Sequence, residues 1–202
     1  LDAFEGRELG VALEWLRTLA MARSLLREIG QGAEHIAEIV GALRTHAYLD
    51  RGEIQRVDVN AALEDTLRLM QDQLAGVAIR REYDPALPQL EAYGSELNRV
   101  WMNLLDNAAD ALQGRGTLTI RTRRTEQGVM VEVEDDGPGI PQDIQPRLFE
   151  PFFTTKPPGK GAGLGLHASY YIVVLKHGGD IQVESERGRT VARVSLPLSV
   201  SA

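Results

Sequence analysis

"TLTIRTRRTEQGVMVEVEDDGPGIP", Thr117 to Pro141, alternates apolar and polar residues on both sides of a short turn and then stops at glycines. Strict alternation sends one side of a segment into a core and the other into water, which is the period of a β-strand. "TLTIRTRR" and "VMVEVEDD" therefore read as strands joined at "TEQG", a hairpin signal. A second pair closes the chain, "DIQVESE" and "TVARVSLPL", turned at "RGR". Strands that arrive in hairpins, with helices between the groups, predict an α+β fold. The expected form is a two-layer α/β sandwich with a mixed, mainly antiparallel sheet and helices on one face.

Working outward, "ELNRVWMNLLDNAADAL" puts Leu97, Val100, Trp101, Leu104, Leu105, Ala108 and Leu112 on one face of a helix. Ser95 is its expected N-cap, and Gly114 and Gly116 end it. Upstream, "VDVN" reads as a short strand, Asn60 as the cap of the helix "AALEDTLRLMQDQL", "GVAIRREY" as a strand and "DPALPQL" as a loop. Downstream, "LHASYYIVVLKH" is a helix ended by Gly178 and Gly179.

The first fifty residues carry apolar positions in alternating steps of three and four, through Trp15, Leu19, Ala22, Leu26, Ile29, Ala33, Ile36, Val40 and Leu43. That is a heptad seam, expected as one long helix over roughly 9–49, with a bend or turn at Gly30 and Gly32 as the alternative. Such a seam needs a partner helix, most simply in a dimer. "DRGEIQRV" breaks the pattern as a linker, so the expected division is a helical stalk with linker over 1–56 and an α/β domain over 57–202.

The bulk numbers exclude several function classes. A net charge of −7 over 202 residues argues against duplex nucleic acid, which needs a basic face. The absence of cysteine removes disulfides, thiol nucleophiles and Cys-ligated zinc, and four scattered histidines show no metal spacing. No apolar run approaches the ~18 residues of a membrane span. A chain opening on Leu1 without a signal-like start is expected to be a soluble, cytoplasmic piece of a longer protein.

Four local features carry chemistry. Asn103 and Asn107 stand one turn apart on one helix face, at the border of the buried stripe. They are either ordinary surface amides or ligand contacts, of which Asn suits a magnesium ion that also binds phosphates. Asp135 ends a strand before "DDGPGIP", where Gly137 and Gly139 let the backbone come close to something. This is either a plain Asp-Gly turn or a carboxylate that accepts from an exocyclic amine such as adenine's. "LFEPFFTTK" gathers Phe149, Phe152 and Phe153 in a Pro/Gly-flanked loop ending at Lys156, the pattern of a flap over a ligand. In "GKGAGLGL", Gly161, Gly163 and Gly165 precede a helix, whose first amides form an anion site. The spacing is neither that of a Walker loop nor that of a dinucleotide fingerprint. Together the four read as a complete ATP site.

In this order the motifs resemble those of the catalytic and ATP-binding domain of sensor histidine kinases, in the superfamily shared with gyrase and mismatch-repair ATPases. "NLLDNAADA" looks like the N box, "DDGPGI" the G1 box, "LFEPFFTTK" the F box and "GKGAGLGL" the G2 box, over about 57–202. The "FTTK" form resembles the nitrogen-regulator-like branch, while Ala192 stands where an aromatic is usual. The resemblance implies ATP and Mg²⁺ as cofactors, with Asn107 holding the metal and Asn103 and Lys156 as the catalytic residues at the phosphates. Asp135 would bind the adenine amine, and Thr190 would assist there. Gly137, Gly139, Ile140, Phe152, Lys160 and Leu164 would line the nucleotide, and Gly161, Gly163 and Gly165 would wrap its phosphates.

The implied partners are a second copy through the stalk, a response-regulator receiver domain and an upstream sensor domain. In the ATPase relatives a glutamate general base stands where this chain has Asn103, and an amide cannot take a proton. Hydrolysis should therefore be poor. The acceptor histidine with its following acidic residue and Asn-Pro or Thr-Pro segment has no counterpart here. His35 and His46 read as bundle-surface histidines, so the acceptor is expected upstream or in trans. A nucleotide-sensing scaffold, or an ATPase of the same superfamily without kinase activity, is the alternative.

Overall fold

The computed structural model describes residues 53–157 and 161–200, together with the helical positions Trp15, Met21 and Arg23. The chain divides into two compact units, residues 1–48 with 155–162 and residues 49–154 with 163–202. The rest of the expected stalk helix, with His35 and His46, lies outside the described residues. Among the described residues no helix is long and apolar enough to cross a membrane.

In the second unit the alternating segments form the sheet. Its elements in chain order are β1 (Gln55–Val57), α1 (Val59–Leu69), β2 (Ala78–Glu82), β3 (Leu90–Ala92), α2 (Gly94–Leu112), β4 (Thr117–Arg124) and β5 (Gly128–Asp135). A short 3₁₀ turn (Gln145–Arg147), α3 (Gly165–Tyr170) with a π-helical continuation (Tyr171–Lys176), β6 (Asp180–Glu186) and β7 (Arg189–Pro197) follow. The main sheet runs β2-β4-β5-β7-β6, with β2 parallel to β4 and every other pair antiparallel. β1 and β3 pair antiparallel in a separate two-stranded ribbon.

The core follows the alternation. Leu118, Ile120, Val129, Val131, Val133, Val194 and Leu196 from the sheet are buried, as are Leu97, Val100, Trp101, Leu104, Leu105 and Leu112 from α2. The opposite phase of the same strands carries ion pairs. Arg121 bridges Glu82 at 2.6 Å and Glu134 at 2.7 Å, and Arg193 bridges Glu132 at 2.7 Å and Glu184 at 2.6 Å. Burial pushes the Glu134 carboxyl up, but hydrogen bonds from Arg189 and Arg121 outweigh it and hold it below the usual carboxylate range.

Both expected helix caps are corrected. The cap of α1 is Asp58, whose Oδ1 accepts from the Ala61 N–H at 3.0 Å. Asn60 instead lies in the first turn, donating to the Asp84 carbonyl at 3.0 Å and accepting from the Thr122 hydroxyl at 2.8 Å. The strand before it is Gln55–Val57 rather than "VDVN", because Asp58 already caps, and α1 stops at Leu69, ahead of "QDQL". Ser95 caps nothing, since α2 starts at Gly94 and its N-cap residue Tyr93 has no side-chain bond to the first turn.

The start of α2 is held by the far end of the α3 helix instead. The His177 Nε2 accepts from the Tyr93 N–H at 3.2 Å, and Lys176 donates to Glu96 at 2.6 Å. The Ile172 carbonyl lies 2.7 Å from the His177 Nδ1, and a carbonyl only accepts, so Nδ1 carries the proton and Nε2 is free to accept.

His177 is buried, and burial pushes its imidazole below the usual range, helped by Lys176 and opposed by the Ile172 bond and Glu96. The unfolded chain therefore takes up this proton first on acidification. The stability it contributes should be complete above about pH 6.5 and fall as the pH drops below that value. Thermal melts of the chain against pH should show this slope. His177→Phe should flatten it and cost about 1–3 kcal/mol at pH 8, the penalty for stranding buried polar partners.

Candidate active site

Asp135 is the last residue of β5 and stands opposite Thr190 of β7. It shares the inward phase of Val131 and Val133, so the strand delivers a carboxylate to the edge of an apolar core, where it is 5% exposed. Burial pushes its carboxyl above the usual range; the Gly137 N–H, which donates to Oδ1 at 3.0 Å, opposes this, and the charges of Asp136 and Glu134 add to it.

The loop that follows is fixed to the β6–β7 hairpin. Gly139 has φ +82°, and a Cβ there would land on the Glu186 carbonyl oxygen. The Ile140 N–H donates to the Ser185 hydroxyl at 2.8 Å, which meets the Thr190 hydroxyl at 2.9 Å. One side-chain amide, Gln145 Nε2, donates to both the Ile140 and Ser185 carbonyls at 2.8 Å. Sequence reasoning missed Ser185 and Gln145. Ser185 had a signal, since it is the polar residue on the inward phase of Ile181 and Val183. Gln145 had none.

The other side of the site is α2. Its Asn103 donates to the Gly165 carbonyl at 3.0 Å and the Ser169 hydroxyl at 3.2 Å. Two turns further along, Ala111 packs against Gly137, where an added Cβ would sit 3.2 Å from the alanine methyl. Positions 103, 107 and 111 share one helix face. Half-buried Asn107 thus stands between the start of α3 and the Asp135 loop, along a span of about 12 Å set by helix rise.

Leu164 precedes α3, and Gly163 has φ +68° with no room for a Cβ against the backbone of Phe152 and Phe153. Phe152 is itself left-handed at φ +66° and 56% exposed, a conformation that costs an ordinary residue about 1–2 kcal/mol. On one face of α2 the structure thus sets Gly165 against Asn103 and Gly137 against Ala111, with Asn107 between these positions. Asp135, Gly139, Ile140 and Thr190 are joined through the β6–β7 hairpin, and Gly163, followed by Leu164, rests on Phe152 and Phe153. Lys156 and Gly161 belong to the other compact unit, and Lys160 lies outside the described residues.

Among the described residues no group of three or more His, Asp or Glu side chains could hold a metal. The donors present are amides, which fit a magnesium ion only where a bound phosphate supplies further oxygens.

Fold and motifs define a nucleotide-binding α/β sandwich. A family profile described as "Histidine kinase-, DNA gyrase B-, and HSP90-like ATPase" matches residues 93–200. The chain belongs to that family, and its folded module is of the sensor histidine kinase catalytic type. It is 41% identical over 138 residues to the sensory histidine kinase/phosphatase NtrB of Rhodobacter capsulatus, covering 62% of this chain and 38% of that protein. To NtrB of Rhizobium leguminosarum it is 34% identical over 199 residues, covering 89% and 51%. The chain therefore spans about half or less of the length of these relatives. Among solved structures it is similar to the nucleotide-free catalytic domain of histidine kinase ThkA, with TM-score 0.67 and 28% identity over 73% of this chain and 97% of that one.

Two outcomes follow for the site. Gly139→Ala should destabilise the unit by at least about 1–2 kcal/mol in denaturant melts, since it adds a left-handed penalty to a clash with backbone. Asp135 works in the opposite sense. A raised folded pKa means that the ionised form costs stability at neutral pH and that the cost lifts as the pH falls through that raised value. Asp135→Asn keeps an acceptor for Gly137, so at pH 7 without ligand its melting temperature should match or exceed that of the unaltered chain.

Proposed function

We propose that the chain is the ATP–Mg²⁺-binding catalytic core of a two-component sensor histidine kinase. It would pass the γ-phosphoryl group of ATP to the imidazole nitrogen of an acceptor helix, in the same protein or in trans. The observation that carries this reading is the shared face of α2, with Asn103 tied to Gly165 at one end, Ala111 packed on Gly137 at the other and Asn107 between. A nucleotide laid along that face would have its purine at Asp135 and its phosphates at the glycine loop.

Asp135 would accept from the adenine amine, with the Thr190 hydroxyl beside it and Gly137, Gly139 and Ile140 at the ring. Asn107 would hold Mg²⁺, which when bound neutralises phosphate charge. Lys156, Lys160, Gly161, Gly163, Leu164 and Gly165 would cradle the phosphates, with Phe152 at the edge. The acceptor nitrogen attacks the γ-phosphorus, the bond to the bridging oxygen breaks, and ADP leaves with the electron pair. Asn103 supports transfer over hydrolysis. Its Nδ2 is spent on Gly165 and Ser169, and an amide cannot deprotonate water. A receiver domain as phosphoryl recipient, a sensor domain as input and a stalk-mediated homodimer complete the proposal.

Calorimetry with Mg–ATP tests it. The chain should bind, and Asp135→Ala should weaken binding about 10–150-fold, the range of a hydrogen bond to a charged group. Absence of heat, or unchanged binding in Asp135→Ala, overturns the reading. Incubated alone with labelled ATP, the chain should stay unlabelled; acid-labile, alkali-stable label on His35 or His46 would contradict an external acceptor. Steady phosphate release that vanishes in Asn107→Ala would indicate a hydrolase instead.

A further inference from the structure

We propose that His167 is a positioning residue for the glycine loop, acting through the aromatic loop Phe149–Phe153. The inference rests on the nucleotide-site reading above and assigns a role to a histidine that this reading leaves unused.

His167 lies two residues beyond Gly165, in the first turn of α3. Its Nδ1 is 3.1 Å from the Phe149 carbonyl oxygen, so the ring donates and the carbonyl accepts. Tyr170, three residues on and on the same helix face, lays its ring against the Phe149 ring at 5.7 Å. One helix face therefore grips one residue of the aromatic loop through both its backbone and its side chain. The loop is braced further along by Arg147, whose guanidinium covers the Phe153 ring at 4.4 Å and pairs with Glu150 at 3.0 Å.

The backbone of this loop is the floor under Gly163, which rests on Phe152 and Phe153 with no space for a methyl group. The contacts close a circuit. His167 holds Phe149, the Phe152–Phe153 backbone supports Gly163, and Gly163 leads through Gly165 back to His167. Phe152, left-handed at φ +66°, keeps that conformation only while its surroundings enforce it. Without the His167 bond the strain at Phe152 can relax, the floor shifts and the Gly163–Gly165 segment loses its shape. The Asp135 end should not respond, because Ser185 and Gln145 hold it separately.

The test compares Mg–ATP with adenosine by calorimetry on the full chain. His167→Phe keeps ring bulk and removes the donor. It should weaken Mg–ATP about tenfold, the factor of one ordinary hydrogen bond, and leave adenosine unchanged. His167→Asn, whose amide nitrogen can stand near the place of Nδ1, should recover most of the loss. Unchanged Mg–ATP affinity in His167→Phe, equal losses for both ligands, or an Asn variant no better than Phe would each overturn the assignment. An unaltered chain that binds neither ligand overturns the nucleotide reading itself, a failure visible before any variant is made.

Discussion

The side-chain amide of Asn103, donating to the Gly165 carbonyl and the Ser169 hydroxyl, joins two helices that come from distant parts of the chain. The apolar stripe of α2 is committed to the core by Trp101, Leu104, Leu105 and Ala108. Its polar border is therefore as rigid as the core itself. Whatever is held by that helix face inherits the rigidity: the start of α3 bonds to it at Asn103, and the Asp135 loop packs against it at Ala111. A site assembled on the margin of a packed helix needs little ordering when a ligand arrives, which lowers the entropic cost of binding.

Legibility in the sequence tracked how local each cause was. The hairpins β4–β5 and β6–β7 declared themselves because alternation and turn residues are properties of eight or nine consecutive positions. Asp135, Gly139 and Asn103 were legible as motif members. The caps were not. Asn60 and Ser95 both look like helix starters, but Asp58 took the first role two residues early. The second was replaced by His177, more than eighty residues away in sequence, whose ring accepts from Tyr93. The roles of Ser185 and Gln145 depend likewise on contacts across the chain: Ser185 accepts from the Ile140 N–H, and Gln145 donates to the Ser185 carbonyl, pairings that tertiary packing sets. β3 has three residues and is held by β1 on one edge and by Leu198 and Val200 on the other, so nothing in "PQLEA" could have announced it.

Strain and unfavourable burial concentrate at the site, while compensation lies elsewhere. Asp135 is a carboxylate in apolar surroundings with two acidic neighbours, Gly139 is pressed onto Glu186, and Phe152 is left-handed. Across the sheet, the outward phase carries arginines and glutamates in alternation, each central carboxylate held by two guanidiniums. Individually such pairs contribute little, but as a network they fix the register of β4, β5 and β7. Register matters here because a slip of one residue would turn Asp135 outward and bring Glu134 or Asp136 to the site edge. The charged face thus serves the site on the opposite side of the sheet.

Asn103 also bears on what chemistry the face can perform. A general base needs a lone pair of adequate basicity and freedom to approach a water; an engaged amide offers neither. The remaining means of lowering a phosphoryl-transfer barrier are positioning and charge neutralisation, which suit a nucleophile that arrives already basic, as a neutral imidazole does. Water, being a poor nucleophile without a base, gains least from such a site. With the phosphates placed as proposed, an architecture that spends the Asn103 amide on holding two helices together would give up hydrolytic assistance in exchange for geometry. Under the proposed reading, that exchange would favour group transfer over nucleotide hydrolysis on the same sandwich.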